Sequence, residues 1–256
     1  MAAMPALFVS HGSPMHALQA GAVGAVWKGV AARLPRPQAI LMCSAHWEAD
    51  VPMFTGAQKP ETIHDFYGFP PQLYRVQYPA PGEPQLASRA RELLKSAGIA
   101  AGIDGARGLD HGAWSPLLYM YPDADIPVVQ ISVQTELGPR HHLELGRALA
   151  PLAGEGVLLF GSGLMTHNLR EPRQGPPADY VLEFQDWVDT RLARGETDLL
   201  VDYRAKAPHA VRAHPTDEHF LPLFFALGGA RPGAKPERLY REVESSTLAM
   251  DAYLFV

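Results

Sequence analysis

Short runs of apolar residues, each ended by a polar or glycine-containing turn, recur along the chain and predict buried β-strands. One of these runs, at residues 126–133, is continuous and rich in β-branched side chains, which is typical of a strand covered on both faces of a sheet. The clear strands are residues 6–9, 39–44, 126–133 and 156–160. Weaker candidates lie around residues 99–103, 238–243 and 248–255.

Between the strands, apolar residues recur at the spacing of amphipathic helices. A further helix is expected to begin at Pro215, because proline suits the first helical position and Asp217 and Glu218 suit the first turn. This alternation predicts an α/β fold, a single domain over residues 1–256 with a mainly parallel central sheet flanked by helices. The last two strands are candidates for antiparallel strands at one edge. The other predicted helices are residues 24–34, 83–98, 117–120, 140–152 and 180–192.

A long stretch without clear periodicity, residues 47–84, separates the second strand from the next helix. It contains His64, Phe66, Tyr67 and Phe69 among several prolines. A loop of this length inside a domain is more often a binding loop or a lid than a passive connector. We therefore expect it to contribute to a binding site.

The composition excludes several classes of protein. Apolar residues make up 47 % of the chain, enough for a substantial core, yet no segment is long enough to span a membrane. The net charge is −5 and the basic residues are scattered, so no electrostatic surface for nucleic acid is expected. Cys43 is the only cysteine, which excludes an internal disulfide and a thiolate-rich metal site. The first residues lack the pattern of a signal peptide, and a soluble cytoplasmic protein is predicted.

Eleven histidines are the unusual feature of the composition, because imidazole both binds metal ions and transfers protons near neutral pH. His11, His46 and His167 each follow an apolar strand within one to seven residues. Parallel strands end at the same edge of a sheet, where α/β proteins bind ligands, so these side chains are expected to converge. Each of them alone could instead cap a strand or bond a carbonyl. His219, at the expected helix start, is a fourth candidate; on a helix the adjacent Glu218 would point about 100° away, so only one of the pair would face the site.

Two further histidines lie beside aspartates. His111 sits in the loop before an apolar helix, where Asp110 could orient or charge it. His64 belongs to the long aromatic loop and is a candidate for contact with a substrate. His214 is interpreted as a cap or as a support for the site, because its distance from His219 is not that of paired helix ligands. Surface positions are expected for His16, His141, His142 and His209.

Other catalytic arrangements lack their motifs. The triplet at residues 161–163 is Gly-Ser-Gly and not the Gly-x-Ser-x-Gly of α/β-hydrolases. No Gly-x-Gly-x-x-Gly follows the first strand, so a dinucleotide-binding fold would lack its phosphate loop. A site built from histidines is therefore the favoured chemistry.

Five motifs occur in order along the chain: Ser10-His11-Gly12-Ser13-Pro14-Met15, Ser44-Ala45-His46-Trp47, His64-Asp65-Phe66-Tyr67-Gly68-Phe69-Pro70, Asp110-His111-Gly112-Ala113-Trp114 and His214-Pro215-Thr216-Asp217-Glu218-His219-Phe220. Together they resemble the class III, LigB-type extradiol ring-cleavage dioxygenases, and most closely the DOPA 4,5-dioxygenase-like subgroup. The resemblance extends from the first strand to about Gly229 and so covers most of the chain.

The resemblance implies one divalent metal ion bound by His11, His46 and His219. It also implies that His167 is the active-site base, which acts as a fourth ligand in some members. Members of the wider superfamily often use two histidines and a glutamate. The position of that glutamate matches His219, but the adjacent Glu218 leaves this assignment open.

The implied reaction of this catalytic domain opens the ring of a catechol with O2, and Fe(II) with three protein ligands keeps positions for both substrates. His167 would take a proton from a hydroxyl group and return it later. His111 is a second catalytic candidate. The candidates for substrate binding are His64 and Trp114, and Tyr119 is a further candidate for the lining of the pocket.

An all-histidine site fits Zn(II) as well as Fe(II), although zinc has no accessible redox change with which to activate dioxygen. The cofactor is therefore expected to be Fe(II) in the active enzyme or Zn(II) as found. The alternative functions are a zinc-dependent hydrolase without redox chemistry and a catalytically silent metal-binding module on the same scaffold. The sequence leaves the particular catechol and the oligomeric state open.

Overall fold

The apolar runs form the strands of one large sheet, and most periodic segments form helices packed on it. The computed structural model describes residues 3–171 and 174–256. Within them the strands are β1 (Ala6–Ser10), β2 (Ala39–Glu48), β3 (Met53–Thr55), β4 (Gly102–Asp104), β5 (Val128–Val133), β6 (Val157–Gly163), β7 (Pro236–Tyr240), β8 (Val243–Glu244), β9 (Leu248–Ala249) and β10 (Ala252–Phe255). The helices are α1 (Gly21–Arg33), α2 (Pro84–Ser96), α3 (His111–Met120), α4 (Gly138–Leu149), α5 (Asp179–Arg194), α6 (Thr197–Val201), α7 (Tyr203–Lys206), α8 (Ala210–Ala213) and α9 (Leu221–Gly229).

The large sheet is parallel in its centre. Its strand order in the described residues is β4-β3-β5-β2-β6-β1-β10-β7. Strands β1, β6, β2 and β5 pair in parallel, whereas β10 and β7 extend the β1 edge as antiparallel strands. The predicted α/β fold, with antiparallel strands contributed by the C-terminal segment, is confirmed. As a consequence, the neighbouring strands β1, β6 and β2 end at the same edge of the sheet.

Both faces of the central strands are buried, because successive side chains alternate between two hydrophobic layers. On β1, Leu7 and Val9 face one layer and Phe8 faces the other. Trp27 of α1 and Trp114 of α3 belong to the first layer, while α4, α5 and α9 cover the second. Burial on both faces explains why these strands appear in the sequence as continuous apolar runs.

The prediction of a helix that begins at Pro215 is wrong. Residues 215–220 form bends and turns, and α9 begins at Leu221 with Pro222 in its first turn. Both prolines suit a helix start, but only the second is followed by the uninterrupted apolar segment that packs on the sheet. The turns before α9 place His219 beside the ends of the strands.

Two of the four histidines expected at the surface are buried. His16 is 8 % exposed, and its Nε2 lies 3.0 Å from Glu244 Oε2. His142 is fully buried on α4, where its Nε2 accepts the backbone N–H of Gln134 at 3.1 Å and its Nδ1–H donates to the Gly138 carbonyl at 2.8 Å. A neutral imidazole can donate one hydrogen bond and accept another, so His142 can be buried with both ring nitrogens paired. The polar residues around it in the sequence gave no sign of this burial. Of the other two, His141 is half-buried and His209 is exposed.

Burial lowers the pKa of His142 from 6.5 to about 3. His142 is therefore protonated below about pH 6.5 in the unfolded chain but only near pH 3 in the folded protein. This contribution to stability is complete above pH 6.5 and is lost, by about 1.4 kcal/mol per pH unit, as the pH falls toward 3. In His142→Gln, we expect the free energy of unfolding in urea to fall less steeply below pH 6.5. The surface variant His209→Gln is the control, and an acid slope in His142→Gln equal to that of the wild type would contradict the prediction.

No helix in the part of the chain that the structure describes is long and apolar enough to cross a membrane. The cytoplasmic location and the lack of a nucleic-acid partner stay predictions.

Candidate metal centre and active site

Three histidines meet at the edge of the sheet where β1, β2 and β6 end. His11 directly follows β1, His46 lies near the end of β2, and His219 lies in the turns before α9. The Nε2 atom of His46 is 3.0 Å from that of His11 and 3.3 Å from that of His219. Nitrogen ligands about 2.1 Å from a metal ion and at right angles to each other lie about 3.0 Å apart, so this spacing fits a metal site.

The second ring nitrogen of His11 fixes its tautomer. The Ser162 hydroxyl donates its proton to the Gly112 carbonyl at 2.5 Å, and its oxygen lies 3.1 Å from His11 Nδ1. Because a hydroxyl has only one proton, this oxygen must accept the Nδ1–H of His11. His11 Nε2 therefore presents a lone pair to the other two imidazoles.

Carboxylates lie beside the Nδ1 atoms of the other two rings. Glu218 Oε1 lies 2.9 Å from His219 Nδ1, and Asp65 Oδ2 lies 3.4 Å from His46 Nδ1. A carboxylate oxygen accepts hydrogen bonds, so His219 Nδ1 carries the proton, and the nearby Asp65 favours the same tautomer for His46. Three Nε2 lone pairs that face one another repel unless a cation lies between them. The chemistry of these donors therefore fits a divalent metal ion better than a hydrogen-bonded cluster.

Burial keeps the three imidazoles neutral. It is the main cause that lowers the pKa values of His11, His46 and His219 well below the ordinary range, and neighbouring imidazoles lower them further. Neutral imidazole is the form that binds a metal ion. Burial alone would raise the pKa of Asp65, but the hydrogen bonds that it accepts from His111 and its electrostatic interactions with His111 and His46 hold that pKa at about 2. The centre thus combines neutral donors with an ionised carboxylate beside them.

His167 lies beside the possible ligands rather than among them. Its ring stacks on that of His219 with centroids 3.5 Å apart, and its Nδ1 lies 3.8 Å from Glu218 Oε1. The ligand atoms of His11, His46 and His219 all lie within 4.8 Å of one another. His167 belongs instead to a second such group, with Glu218 and His219. This position is that of a neighbour to the candidate metal centre.

His111 is the first residue of α3 and is held by a different aspartate from the predicted one. Its Nδ1–H donates to Asp65 Oδ2 at 2.9 Å, and its ring centroid lies 4.0 Å from that of His46. Asp110 is the buried N-cap of α3 and accepts the backbone N–H of Ala113. The carboxylate that orients His111 is therefore Asp65, because the side chain of Asp110 is directed to the helix backbone and to the sheet.

A cavity of about 390 Å³ opens onto these histidines. Most of its other walls are apolar or aromatic, which suits a planar ring. The long loop that was predicted to contribute to a binding site forms several of these walls, and its role in binding stays a prediction. The described lining residues are His11, Gly12, Ser13, Pro14, His46, Asp65, Phe66, Tyr67, Phe69, His111, Leu164, His167, Leu169, His219 and Leu248.

The two residues predicted to bind substrate lie behind this lining. The Nε2–H of His64 donates to the Val76 carbonyl at 3.0 Å, and the indole N–H of Trp114 donates to the Ile63 carbonyl at 2.8 Å. Neither is among the described residues that line the cavity, and Tyr119 is not among them either. His64 and Trp114 hold the aromatic loop in place, so the geometry gives no support for their direct contact with substrate.

Two glycines let the elements of the site approach closely. A Cβ atom on Gly163 would lie 2.1 Å from the His219 carbonyl oxygen, which accepts the Leu164 backbone N–H at 2.8 Å. A Cβ atom on Gly112 would lie 2.4 Å from Ser44 Oγ. At such distances a side chain at either position would clash with its neighbour. Gly163, which ends the Gly-Ser-Gly triplet, therefore allows the His219 segment to pack closely against β6.

The residues that hold the three rings, Asp65, Glu218 and Ser162, received no firm role from the sequence. Glu218 adjoins His219 in sequence, and this adjacency was a usable signal. Asp65 adjoins His64 instead, so adjacency did not reveal its contacts with His111 and His46. For Ser162 the sequence offered no such signal, because a serine in a buried strand usually bonds the nearby backbone.

The fold and the site together are those expected of a metalloenzyme that acts on an aromatic ring, and comparison with known proteins agrees. Residues 5–255 match the family described as the catalytic LigB subunit of aromatic ring-opening dioxygenase. The chain therefore belongs to the LigB family, and the resemblance found in its five motifs is confirmed.

Similar proteins cover almost the whole chain. A protein of Beta vulgaris named 4,5-DOPA dioxygenase extradiol is 42 % identical over 97 % of this chain and 95 % of its own length. A protein of Escherichia coli (strain K12) with the same name is 43 % identical over 96 % of this chain and 93 % of its own. A crystal structure of an uncharacterized protein from Escherichia coli K12 matches with a TM-score of 0.85 and 36 % identity, over 99 % of this chain and 100 % of that one. The predicted enzyme class, a ring-cleavage dioxygenase, is confirmed.

Proposed function

We propose that this protein cleaves the ring of a DOPA-like catechol with O2 in an extradiol manner, at a divalent metal ion held by His11, His46 and His219. The observation that carries the proposal is the convergence of three Nε2 lone pairs, 3.0 and 3.3 Å apart, in a cavity with aromatic walls. The names of the similar proteins from Beta vulgaris and Escherichia coli support a DOPA-like substrate.

Fe(II) is the metal ion that we propose for the active enzyme, although Zn(II) fits the same neutral donors. When bound, Fe(II) supplies the redox chemistry that couples a catechol to dioxygen, which Zn(II) lacks. Protein purified with zinc is therefore expected to be inactive.

His167 is proposed as the general base that takes the proton of a catechol hydroxyl and later returns it. Its ring lines the cavity and stacks on His219, so a substrate oxygen near the three ligands also lies near this imidazole. The carboxylate of Glu218, 3.8 Å from His167 Nδ1, favours the charged imidazole that forms on proton uptake.

His111 is proposed to hold the substrate or dioxygen from the side of His46. Its Nδ1–H is committed to Asp65, which leaves Nε2 as the nitrogen that can bond a molecule in the cavity. His111 and His167 thus contribute two imidazoles near different ligands of the same centre.

Reconstitution decides between this function and its alternatives. The protein is stripped of metal and loaded with Fe(II) under anaerobic conditions. After addition of air and L-DOPA, we expect it to consume one O2 per L-DOPA and to form a yellow ring-cleavage product. The Zn(II)-loaded protein is the control and should consume none. Failure of Fe(II) to restore oxygen uptake with any catechol of a panel would sink the proposal. Hydrolysis of an ester or amide by the zinc form would then support the hydrolase.

A further inference from the structure

We propose that Asp65 is a positioning residue of the metal centre. Its carboxylate holds the proton of His111 on Nδ1, supports His46, and thereby ties the aromatic loop to the reacting groups. The catalytic part of this inference rests on the proposed function, whereas the tautomer of His111 can be measured without any activity.

Asp65 uses both oxygen atoms of its carboxylate. Oδ1 accepts the backbone N–H of His111 at 2.9 Å, and Oδ2 accepts the Nδ1–H of the same residue at 2.9 Å. Oδ2 also lies 3.4 Å from His46 Nδ1, and the side chain is 18 % exposed. Two bonds to one residue fix the direction of the carboxylate, and an acceptor-only group admits a single tautomer of His111. One side chain therefore orients a possible metal ligand and a candidate catalytic group together.

The loop segment before Asp65 is held on two sides. The Ile63 backbone N–H donates to the Leu109 carbonyl at 2.7 Å, and the Ile63 carbonyl accepts the indole N–H of Trp114 at 2.8 Å. His64 is fixed in turn by its bond to the Val76 carbonyl. The residues directly after Asp65 include aromatic walls of the cavity. The position of the walls and that of the carboxylate are thus set by the same anchored segment.

A role limited to capping α3 does not account for these contacts. The N-cap of α3 is Asp110, whose carboxylate accepts the Ala113 backbone N–H at 3.2 Å. Asp65 bonds one backbone N–H of this helix start and directs its other oxygen to two imidazole rings. The structure therefore assigns Asp65 to the orientation of histidines.

Asp65→Asn tests the inference because it keeps the shape and replaces Oδ2 by an amide that donates. An amide donor opposite His111 Nδ1 disfavours the Nδ1–H tautomer and favours Nε2–H. The Zn(II)-loaded protein, labelled with 15N-histidine, reports the tautomer in long-range 1H–15N correlation spectra, with His111 assigned from His111→Gln. The matched control is Glu61→Gln, which removes a charge from an exposed position of the same loop.

We expect His111 to be the Nδ1–H tautomer in the wild type and in Glu61→Gln, and to lose that form in Asp65→Asn. With Fe(II) and L-DOPA, kcat of Asp65→Asn should fall about 10- to 100-fold while KM changes less than about threefold. An unchanged tautomer, or a kcat within about threefold of the wild type, would overturn the inference.

The two proposals fail in different ways. If no form of the protein consumes O2, the proposed function fails, while the tautomer still decides whether Asp65 orients His111. If Asp65→Asn does not fold, the wild-type spectrum alone decides, since an Nε2–H tautomer of His111 there overturns the inference.

Discussion

Replacement of His46 by alanine is expected to remove the bound metal ion and abolish ring cleavage. His46 Nε2 lies 3.0 Å from that of His11 and 3.3 Å from that of His219. Loss of this ligand leaves two imidazoles, so metal affinity should fall by more than the roughly 10- to 100-fold that follows loss of an outer partner. Metal content after dialysis and oxygen uptake with L-DOPA measure the two effects.

A graded series separates ligand loss from general damage. Ser162→Ala keeps all three ligands but removes the acceptor of the His11 Nδ1–H, so it should lower metal affinity only about 10- to 100-fold. His209→Ala removes an exposed imidazole and should leave metal content and activity unchanged. If His46→Ala retained one metal ion per chain after dialysis, the three-histidine site would be wrong.

Replacement of His167 by alanine is expected to lower kcat about 10²- to 10⁴-fold while the metal ion is retained. His167 stacks on His219 but lies outside the group formed by the three candidate ligands, so we expect its loss to remove the proposed proton acceptor and to leave the metal ligands in place. Steady-state kinetics of the Fe(II)-loaded variant and metal analysis of the same sample provide the measurement.

The outcome for His167→Ala also decides between the two roles that the family resemblance implies. Loss of metal together with activity would show that His167 is a ligand. Turnover equal to that of the wild type would exclude it as the base. His209→Ala again serves as the control for the loss of an imidazole.

The sequence predicted the central strands well because burial on both faces forces continuous apolar runs, as in β5 and β6. Helix starts were harder to predict. Pro215 and Pro222 carry the same local signal, and only the packing of the segment after Pro222 against the sheet selects the second. Local sequence preferences therefore indicate where a helix can begin, but tertiary contacts decide where it does begin.

The candidate site was predictable to the extent that the strands bring its residues together. His11 follows β1 and His46 lies near the end of β2, two parallel strands that lie on either side of β6, and their placement after apolar runs is visible in the sequence. His219 was predicted to be a ligand from the family motif. Its predicted position at the start of a helix was wrong, because it lies in the turns before α9. His64 and Trp114 were predicted to bind the substrate because they belong to the aromatic motifs. In the structure they form hydrogen bonds to the backbone of the long loop.

By itself, the sequence determined the α/β class, the parallel strands, and the family through its ordered histidine motifs. Only the tertiary structure decided which groups hold those histidines, because a hydrogen bond depends on distance and direction between side chains far apart in the chain. His11 is held by Ser162, 151 positions away, and His111 by Asp65, 46 positions away, rather than by the adjacent Asp110. The sequence motifs identify which histidines belong to the site. The packing of the strands, the loop and the helix start decides which ring nitrogen of each histidine is hydrogen-bonded, and therefore which nitrogen is available to a metal ion.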